Sequence, residues 1–447
     1  MRINHESVIP LPADQVFAWH ERPGAMQRLL PPWQPVTAIT QADSLKDGTS
    51  VLGLPAGLRW NAPHLAQRYV PQRLFADQMK LEGPLSTAAK ALTWTHEHHF
   101  EPLDGDRCLV RDVVETNLPA TQVHRLLGYR HRQLADDLAA HHAAAEHGMK
   151  SLRIAVTGAH GLVGTALCAF LESGGHRVIR LVRRNPQGAN ERTWDPQNPA
   201  PEALDGCDAV IHLAGASIAG RFNDKHRQDI AQSRIEPTGK LAAAAAQAGV
   251  EVFVSASAIG IYGAQAGETP LAEDAGHGDD FLAQVVREWE QAAREPAGGS
   301  MRRVQVRTGL VQSPRGGTLK MLKPLYELGL GGRMGDGRQW QSWIGLDDLV
   351  DIYHRALWDG QLEGPVNAVA PHPVRNSDYS ATLAAVLRRP DVLPVPSFGP
   401  ELLLGKQGSE LLAMASQRVA PEKLLDAGHR FRAETLEDAL RHCLGRQ

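Results

Sequence analysis

After Met149, hydrophobic positions alternate between short continuous runs and longer stretches with a helical period. The short runs have the length of buried strands, and the longer stretches present one apolar face, as amphipathic helices do. This alternation predicts an α/β domain with a doubly wound parallel sheet, followed from Gly316 by a small, mostly helical C-terminal lobe. Predicted strands are 152–156, 177–182, 209–213, 250–255 and 304–311, and predicted helices are 162–173, 224–248 and 279–294.

Residues 1–148 show a different pattern, with strand-like runs and one helix near each end. The order predicts an α+β helix-grip domain, in which a curved antiparallel sheet holds a long C-terminal helix. An Ala- and His-rich run, 139–148, precedes the change of pattern, so we divide the chain into domains 1–148 and 149–447. Predicted strands are 36–40, 49–54, 66–70, 74–81, 92–100 and 107–116, and predicted helices are 13–30 and 122–145.

Composition and charge argue against some classes of binding partner and indicate a cellular compartment. The net charge is −3 over 447 residues, which predicts no general attraction to nucleic acid or to an anionic membrane. No run of 18 apolar residues predicts a membrane span, and the N-terminus lacks the apolar region of a signal peptide. The four cysteines are scattered without zinc-ligand spacing, which favours reduced thiols and a cytoplasmic protein.

The first predicted strand of the second domain leads into a glycine-rich loop with G-x-x-G-x-x-G spacing. Glycines allow a tight turn and a close approach of the backbone to a pyrophosphate, and the helix that follows offers free N–H groups. A glycine-rich turn without a ligand is the alternative. The predicted cofactor-binding residues of this loop are Thr157, Gly158, His160, Gly161, Leu162, Val163 and Gly164.

The second strand of this domain ends in Arg183 and Arg184, without the acidic residue that commonly binds the ribose 2′-hydroxyl of NAD. A guanidinium group suits a 2′-phosphate, because it makes charge-assisted bonds. We therefore predict NADP as the cofactor. The alternative is that both arginines are solvated charges at a strand end.

Several segments in order resemble the atypical "epimerase family" branch of the short-chain dehydrogenase/reductase superfamily, often labelled nucleoside-diphosphate-sugar epimerase. The resemblance covers residues 151–445. It implies that Leu213, Ala214 and Gly215 lie along the cofactor, that Asp195 meets the adenine, and that Ser257 is the catalytic serine. A shift of one residue would place Ala258 at that position instead. Beyond the glycine loop, the segments are 194–196, 208–215, 233–238, 255–263, 307–311, 335–344, 417–419 and 428–431, together with Pro421 and Leu424.

The superfamily's chemistry uses a Tyr-x-x-x-Lys pair on a helix, in which the lysine lowers the pKa of the tyrosine. Here Phe281 and Val285 occupy the matching positions, and neither side chain transfers a proton. Tyr262 is the nearest phenol and our candidate replacement, with structural packing as the alternative. Trp340 and Trp343 are candidates for stacking on a substrate, although core packing is favoured for Trp343.

The layout of residues 1–147 and the segment 94–100 resemble the START/polyketide-cyclase superfamily. This resemblance implies an apolar cavity and a hydrophobic ligand. His96 and His98 share a strand face, but without a third ligand at a telling spacing we predict no metal site and interpret both as exposed strand residues.

Two functions from different classes follow from these features. The first is an NADP-dependent oxidoreductase or epimerase-like enzyme acting on a small molecule, with Ser257 and Tyr262 polarising the reacting oxygen. The second is a non-catalytic NADP(H)-binding sensor coupled to the ligand-binding N-terminal domain. Sugar-nucleotide epimerisation ranks lower, because it depends most strictly on a proton-shuttling tyrosine.

Overall fold

The computed structural model describes residues 1–84, 91–294, 299–391, 394–395 and 398–446. The chain separates into two compact units. The first comprises Met1–Gly148, Ala169–Gly175 and His442–Gln447, and the second comprises Met149–Cys168 and His176–Arg441. Across the described residues, every helix is too short or too polar to cross a membrane.

The first unit contains two antiparallel sheets and a long helix near its end. One sheet has the order β1-β8-β7-β5 and the other the order β2-β3-β4-β6. The strands are β1 Arg2–Ile9, β2 Thr37–Thr40, β3 Thr49–Gly53, β4 Arg59–Pro63, β5 Leu74–Gln78, β6 Lys80–Glu82, β7 Trp94–Leu103 and β8 Arg107–Thr116, and the helices are α1 Ala13–Glu21, α2 Ala25–Arg28 and α3 Ala120–Glu146.

Several predictions for this unit differ from the structure. The strand predicted at 66–70 is largely a 3₁₀ turn, Ala66–Arg68, the helix predicted at 13–30 is divided into α1 and α2, and strands β1 and β4 were not predicted. β1 mixes polar and charged residues on both faces, so its own sequence carries little strand signal. It is a strand because all eight of its residues pair antiparallel with β8.

His96 and His98 are not exposed strand residues, as the sequence suggested, since only 4% and 3% of their surfaces are accessible. They alternate along β7 with less buried neighbours, on the same face as the buried Trp94 and Phe100. The period of a strand thus places both imidazoles on the inner side of the sheet.

The chain after Gly148 forms a parallel sheet with the order β11-β10-β9-β12-β13-β14-β18. Its strands are β9 Arg153–Thr157, β10 Arg177–Val182, β11 Glu191–Thr193, β12 Ala209–His212, β13 Val252–Ala258, β14 Arg302–Thr308 and β18 Gly364–Ala368; the shorter strands are β15 Leu310–Gln312, β16 Trp340–Gln341, β17 Trp343–Gly345 and β19 Val374–Arg375. Counted from β9, the first six sheet strands follow the 3-2-1-4-5-6 order of Rossmann folds.

Helices connect these strands and form the C-terminal lobe. Leu241 and Ala245 of the sixth helix pack against Val210 and Phe253 of the sheet in one apolar cluster. The helices are α4 Leu162–Ser173, α5 Asp224–Gln232, α6 Ile235–Gln247, α7 Phe281–Arg294, α8 Gly317–Glu327, α9 Leu346–Trp358, α10 Asn376–Leu387, α11 Phe398–Gly408, α12 Glu422–Asp426 and α13 Leu436–Leu444.

The helix predicted at 224–248 is interrupted between α5 and α6. Pro237 lies in the first turn of α6, where a missing N–H is tolerated but where a continuous helix would be broken. The Ser233 hydroxyl accepts a hydrogen bond from Ala216 N at 3.0 Å, which anchors the break to the neighbouring loop.

Candidate functional site

A glycine-rich loop joins the carboxyl end of β9 to the start of α4. Gly158 has a φ of +67°, a left-handed conformation that favours glycine. A Cβ atom at Gly158 would lie 2.9 Å from the Leu213 carbonyl carbon, and one at Gly164 would lie 2.2 Å from the Gly158 carbonyl oxygen. Both positions therefore require glycine, one for the turn and one for the packing of α4 on the loop.

Thr157 ties this loop to the end of β12. Its buried Oγ1 lies 2.7 Å from His212 Nδ1 and accepts hydrogen bonds from the backbone N–H groups of Leu213 and Ala214. Burial lowers the pKa of His212 to about 4, so the imidazole is neutral at physiological pH. The Thr157 hydroxyl is fully used in holding two strand ends together.

An open cleft of about 1080 Å³ lies at the carboxyl edge of the sheet, next to the ends of β9, β10 and β12. In open α/β sheets, ligands bind in this crevice, where the strand order reverses. Thr157, Leu162, Val163, Gly164 and Asp195 are not among its lining residues; Asp195 is exposed and accepts a hydrogen bond from Gln197 N at 2.9 Å. Predicted residues that line the cleft are Gly158, His160, Gly161, Arg183, Arg184, Leu213, Ala214 and Gly215.

The two arginines at the end of β10 have different surroundings. Arg184 makes a bidentate ion pair with Glu191 at 2.8 and 2.7 Å, and His160 Nε2 lies 3.8 Å from the same carboxylate. Hydrogen bonds from Arg184 lower the pKa of Glu191. Arg183 is exposed in the cleft wall and makes no hydrogen bond or ion pair with the residues that the structure describes. Arg183 is therefore the guanidinium available to an anion.

Ser257 lies near the end of β13, and its hydroxyl points into a buried ionic network. Its Oγ donates to Glu290 Oε1 of α7 at 2.6 Å. Glu290 is also bound by Arg307 of β14 through two hydrogen bonds of 2.8 and 2.9 Å. All three side chains are buried, so the network fixes α7 against β13 and β14.

Tyr262 ends the 3₁₀ turn Ile259–Tyr262 that follows β13, and its phenol joins the same network. Arg307 Nη1 donates to the phenol oxygen at 2.8 Å, and the phenol lies 2.7 Å from Asn367 Oδ1 of β18. Burial raises the pKa of Tyr262, although the nearby Arg307 opposes this change. Gln417 also holds this turn in place, because its Nε2 donates hydrogen bonds to the carbonyl oxygens of Ile259 and Gly263.

The sequence-predicted site residues thus fall into two groups. One group borders the open cleft, and the other, Ser257 and Tyr262, belongs to the buried network. The sequence analysis missed Glu290 and Arg307 as their partners. Glu290 shares the inward face of α7 with buried apolar residues, and a charge at such a position was the available signal.

The start of α7 carries no acid or base at the two positions singled out in the sequence. The Phe281 ring lies 4.4 Å from the guanidinium carbon of Arg227, and Val285 is buried. The inner face of α7 instead presents Glu290 to the network.

The two candidate tryptophans, Trp340 and Trp343, differ in their surroundings. Trp343 is fully buried, and its Nε1 donates to the His372 carbonyl at 3.0 Å, so the preference for core packing is confirmed. Trp340 is half-buried, with the guanidinium carbons of Arg375 and Arg418 at 3.9 and 4.8 Å from its ring centroid. Its aromatic ring thus already contacts two cations of the chain itself.

The strand order and the glycine loop place the second unit in the Rossmann-like class of α/β domains. The sequence profile of the NAD dependent epimerase/dehydratase family matches residues 154–368, and that of a domain of unknown function matches residues 395–443. An "epimerase family protein" of Mycobacterium bovis is 39% identical over 65% of this chain and 97% of its own length. Human epimerase family protein SDR39U1 is 36% identical over 65% of this chain and 99% of its own length. The chain belongs to this epimerase family.

Solved structures agree with this assignment. A structure described as a nucleoside-diphosphate sugar epimerase from Corynebacterium glutamicum is 42% identical, covers 99% of this chain and 90% of that chain, and superposes with a TM-score of 0.86. Human SDR39U1, crystallised with NADPH, is 32% identical over 66% of this chain and 99% of that chain, with a TM-score of 0.60.

Proposed function

We propose that the second unit binds NADP(H) in the cleft at the carboxyl edge of its sheet. The observation that carries this proposal is the unpaired Arg183, which borders the same cleft as the glycine loop. The NADPH-bound structure of the human relative supports the proposal. The backbone of the loop and the first turn of α4, at Leu162, Val163 and Gly164, would hold the pyrophosphate.

The other predicted cofactor-binding residues would contact the same dinucleotide. Leu213, Ala214 and Gly215 line the cleft and would lie along the dinucleotide, whereas Asp195, which lies outside the lining but between the lining residues Trp194 and Pro196, would approach the adenine. Arg183 would bind the 2′-phosphate, because its guanidinium is free to make charge-assisted hydrogen bonds. Arg184 would act mainly by keeping Glu191, and its negative charge, away from the phosphate.

Replacing Arg183 with alanine should weaken NADPH binding about 10- to 100-fold and leave NADH binding nearly unchanged, because one or two charge-assisted bonds are lost. Fluorescence titration of both nucleotides measures this difference. Arg177→Ala is the matched control, since Arg177 is an exposed arginine at the opposite end of the same strand. Equal affinity of the wild type for NADPH and NADH, or no loss in Arg183→Ala, would refute the NADP assignment.

We further propose that the protein is an oxidoreductase or epimerase-like enzyme acting on a small molecule. The bound nicotinamide would supply or accept a hydride at a carbonyl or alcohol carbon. Ser257 and Tyr262 would then orient and polarise the reacting oxygen. No tyrosine of the chain is followed by a lysine four positions later, which favours an acid other than the usual pair. This role requires the Tyr262 phenol to exchange its bond with Asn367 for one with substrate.

Under the enzymatic proposal, Tyr262→Phe should reduce kcat/KM about 100-fold or more, because a proton donor is removed from the reacting oxygen. NADPH affinity should stay within about threefold of the wild type, since the phenol lies outside the cleft lining. Cofactor turnover against a panel of carbonyl and alcohol substrates provides the measurement. Unchanged turnover in the variant would exclude Tyr262 from the mechanism.

The second candidate is a non-catalytic NADP(H)-binding sensor, and one observation favours it. The hydroxyls of Ser257 and Tyr262 are already engaged by Glu290, Arg307 and Asn367 in a buried network. Tight NADPH binding without hydride exchange against the substrate panel would support the sensor. Turnover that depends on Tyr262 would refute it.

For the first unit we propose a START/polyketide-cyclase-like fold with a hydrophobic ligand. A cavity of about 140 Å³ lined largely by apolar side chains, among them Leu29, Trp60 and Phe75, supports this proposal. The long helix α3 after the last strand also fits the helix-grip order.

The cytoplasmic location of the protein remains a prediction from the sequence.

A further inference from the structure

We propose that the first unit binds a divalent first-row transition metal ion through Asp77, His96 and His98. The ligand atoms of these three side chains all lie within 4.8 Å of one another. Two imidazoles and one carboxylate form a donor set that proteins use for Zn²⁺ and for non-haem Fe²⁺. The inference is independent of nucleotide binding by the second unit.

Strand pairing brings the three residues together. His96 and His98 alternate along β7, so both project from the same face of the sheet. Asp77 of β5 is the direct antiparallel partner of His96, and cross-strand partners project to the same side. The cluster is therefore fixed by the register of two paired strands, β5 at the edge of the sheet and β7 beside it, rather than by loops, as a preorganised ligand set requires.

Asp112 of β8 lies close to one ring nitrogen of each imidazole. It is the cross-strand partner of His98, and its Oδ1 lies 2.8 Å from His98 Nδ1. Its Oδ2 lies 3.4 Å from His96 Nε2. Histidine ligands usually donate their second ring N–H to a carboxylate, which directs the other nitrogen to the metal. Here His98 Nε2 is the nitrogen left free, and it faces Asp77 Oδ2 at 3.6 Å.

The distances between the ligand atoms would fit a metal ion after these atoms move slightly closer together. Ligands about 2.1 Å from a tetrahedral zinc ion are separated by about 3.4 Å. The widest pair of ligand atoms here would have to approach by at most about 1.4 Å on this geometry. His96 and His98 are almost fully buried, so few water molecules compete for their nitrogens.

The cluster borders the cavity of the first unit, which all three proposed ligands line. A metal with three protein ligands keeps a position for water or for an oxygen of a bound molecule. The site would thus add a metal-bound attachment point for an oxygen atom to a cavity that is lined largely, but not wholly, by apolar side chains.

The charge of the cluster also calls for a cation. Asp77 and Asp112 carry two negative charges, and Arg130 Nε lies 3.8 Å from Asp112 Oδ2 with one positive charge. The remaining negative charge favours binding of a dication, whereas a proton on His98, shared between the two carboxylates, would neutralise it without a metal. These two arrangements predict different metal binding, so an experiment separates them.

The experiment uses the full chain, freed of metal by a chelator and titrated with Zn²⁺ by calorimetry, while Co²⁺ reports coordination through its visible spectrum. We expect about one equivalent of Zn²⁺ with a Kd below about 1 µM. Asp77→Asn and His98→Gln should weaken binding about 100-fold, and Asp112→Asn about 10- to 100-fold. His20→Gln is the matched control, because His20 is buried and lines the same cavity outside the ligand set.

Asp77→Asn keeps the shape of the side chain, and circular dichroism with thermal melting verifies that each variant is folded. Zn²⁺ should raise the melting temperature of the wild type and of His20→Gln but not of Asp77→Asn. Absence of stoichiometric Zn²⁺ binding by the wild type would overturn the proposal in favour of a protonated His98. Equal binding by folded Asp77→Asn, or equal loss in His20→Gln, would overturn it as well.

Discussion

Replacing Arg307 with leucine should lower the free energy of unfolding by about 3–5 kcal/mol, the usual cost of leaving one member of a buried ion pair unpaired. Arg307 and Glu290 are 2% and 0% exposed, so water replaces none of the lost contacts. The Tyr262 phenol would lose its Arg307 donor at the same time. Urea unfolding followed by tryptophan fluorescence measures the change, since Trp289 is adjacent to Glu290.

Arg294→Leu provides the matched control for this experiment. Arg294 also pairs with Glu290, at 3.6 Å, but its side chain is half exposed. An exposed pair contributes about 0–1 kcal/mol, so this variant should remain close to the wild type. Combining Arg307→Leu with Glu290→Met should recover part of the loss, because no unpaired charge then remains in the interior. Equal effects of the two arginine substitutions would contradict this account.

Replacing Gly164 with alanine should reduce NADPH affinity about 100-fold, which corresponds to about 2.7 kcal/mol. The added Cβ would overlap the Gly158 carbonyl oxygen at 2.2 Å, and this oxygen belongs to the backbone. The loop and α4 would have to separate, and the N–H groups that face the cleft would move with them. Nucleotide titration by fluorescence, with a thermal melt on the same samples, gives both consequences.

Gly239→Ala tests whether this effect comes from the contact rather than from the change of residue type. Gly239 lies within α6, and a Cβ there would have its nearest neighbour at 3.6 Å, an ordinary van der Waals distance. Alanine favours a helix over glycine by about 1 kcal/mol, so this variant should bind NADPH normally and melt no lower than the wild type. Normal NADPH binding by Gly164→Ala would refute the proposed role of the loop.

The local sequence was sufficient to predict helices and strands whose hydrophobic pattern and end signals lie within or next to the element itself. Helix α4 was predicted with the bounds that the structure gives it. The glycine-rich loop marks its start, an apolar period runs through it, and Gly174 and Gly175 mark its end. The strands that became β9, β10 and β12 are buried and uninterrupted, which makes their sequences distinctive. The prediction of a doubly wound parallel sheet is confirmed for the second unit.

Features that depend on pairing between distant residues were not predictable in this way. Glu191 reaches Arg184 because β11 pairs in parallel with β10, and the local sequence at Arg184 contains no sign of this acid. Likewise, the partners of the Ser257 hydroxyl come from α7 and β14. The strand period also places His96 and His98 on the face that carries Trp94 and Phe100, so their inward position was available from the sequence.

The Tyr262 turn is held by residues that the ribosome adds to the chain much later than the turn itself. Gly263 and Gln417 are joined by a hydrogen bond across 154 residues of chain, and Tyr262 meets Asn367 across 105. At ribosomal rates of about 5–20 residues per second, the turn would wait roughly 8–30 s for Gln417 to be made. During that interval the apolar residues around the turn, Ile261 and Val286 among them, lack the cover that Val419 provides. The nascent second unit therefore exposes part of this apolar cluster until the segment around Val419 has been synthesised.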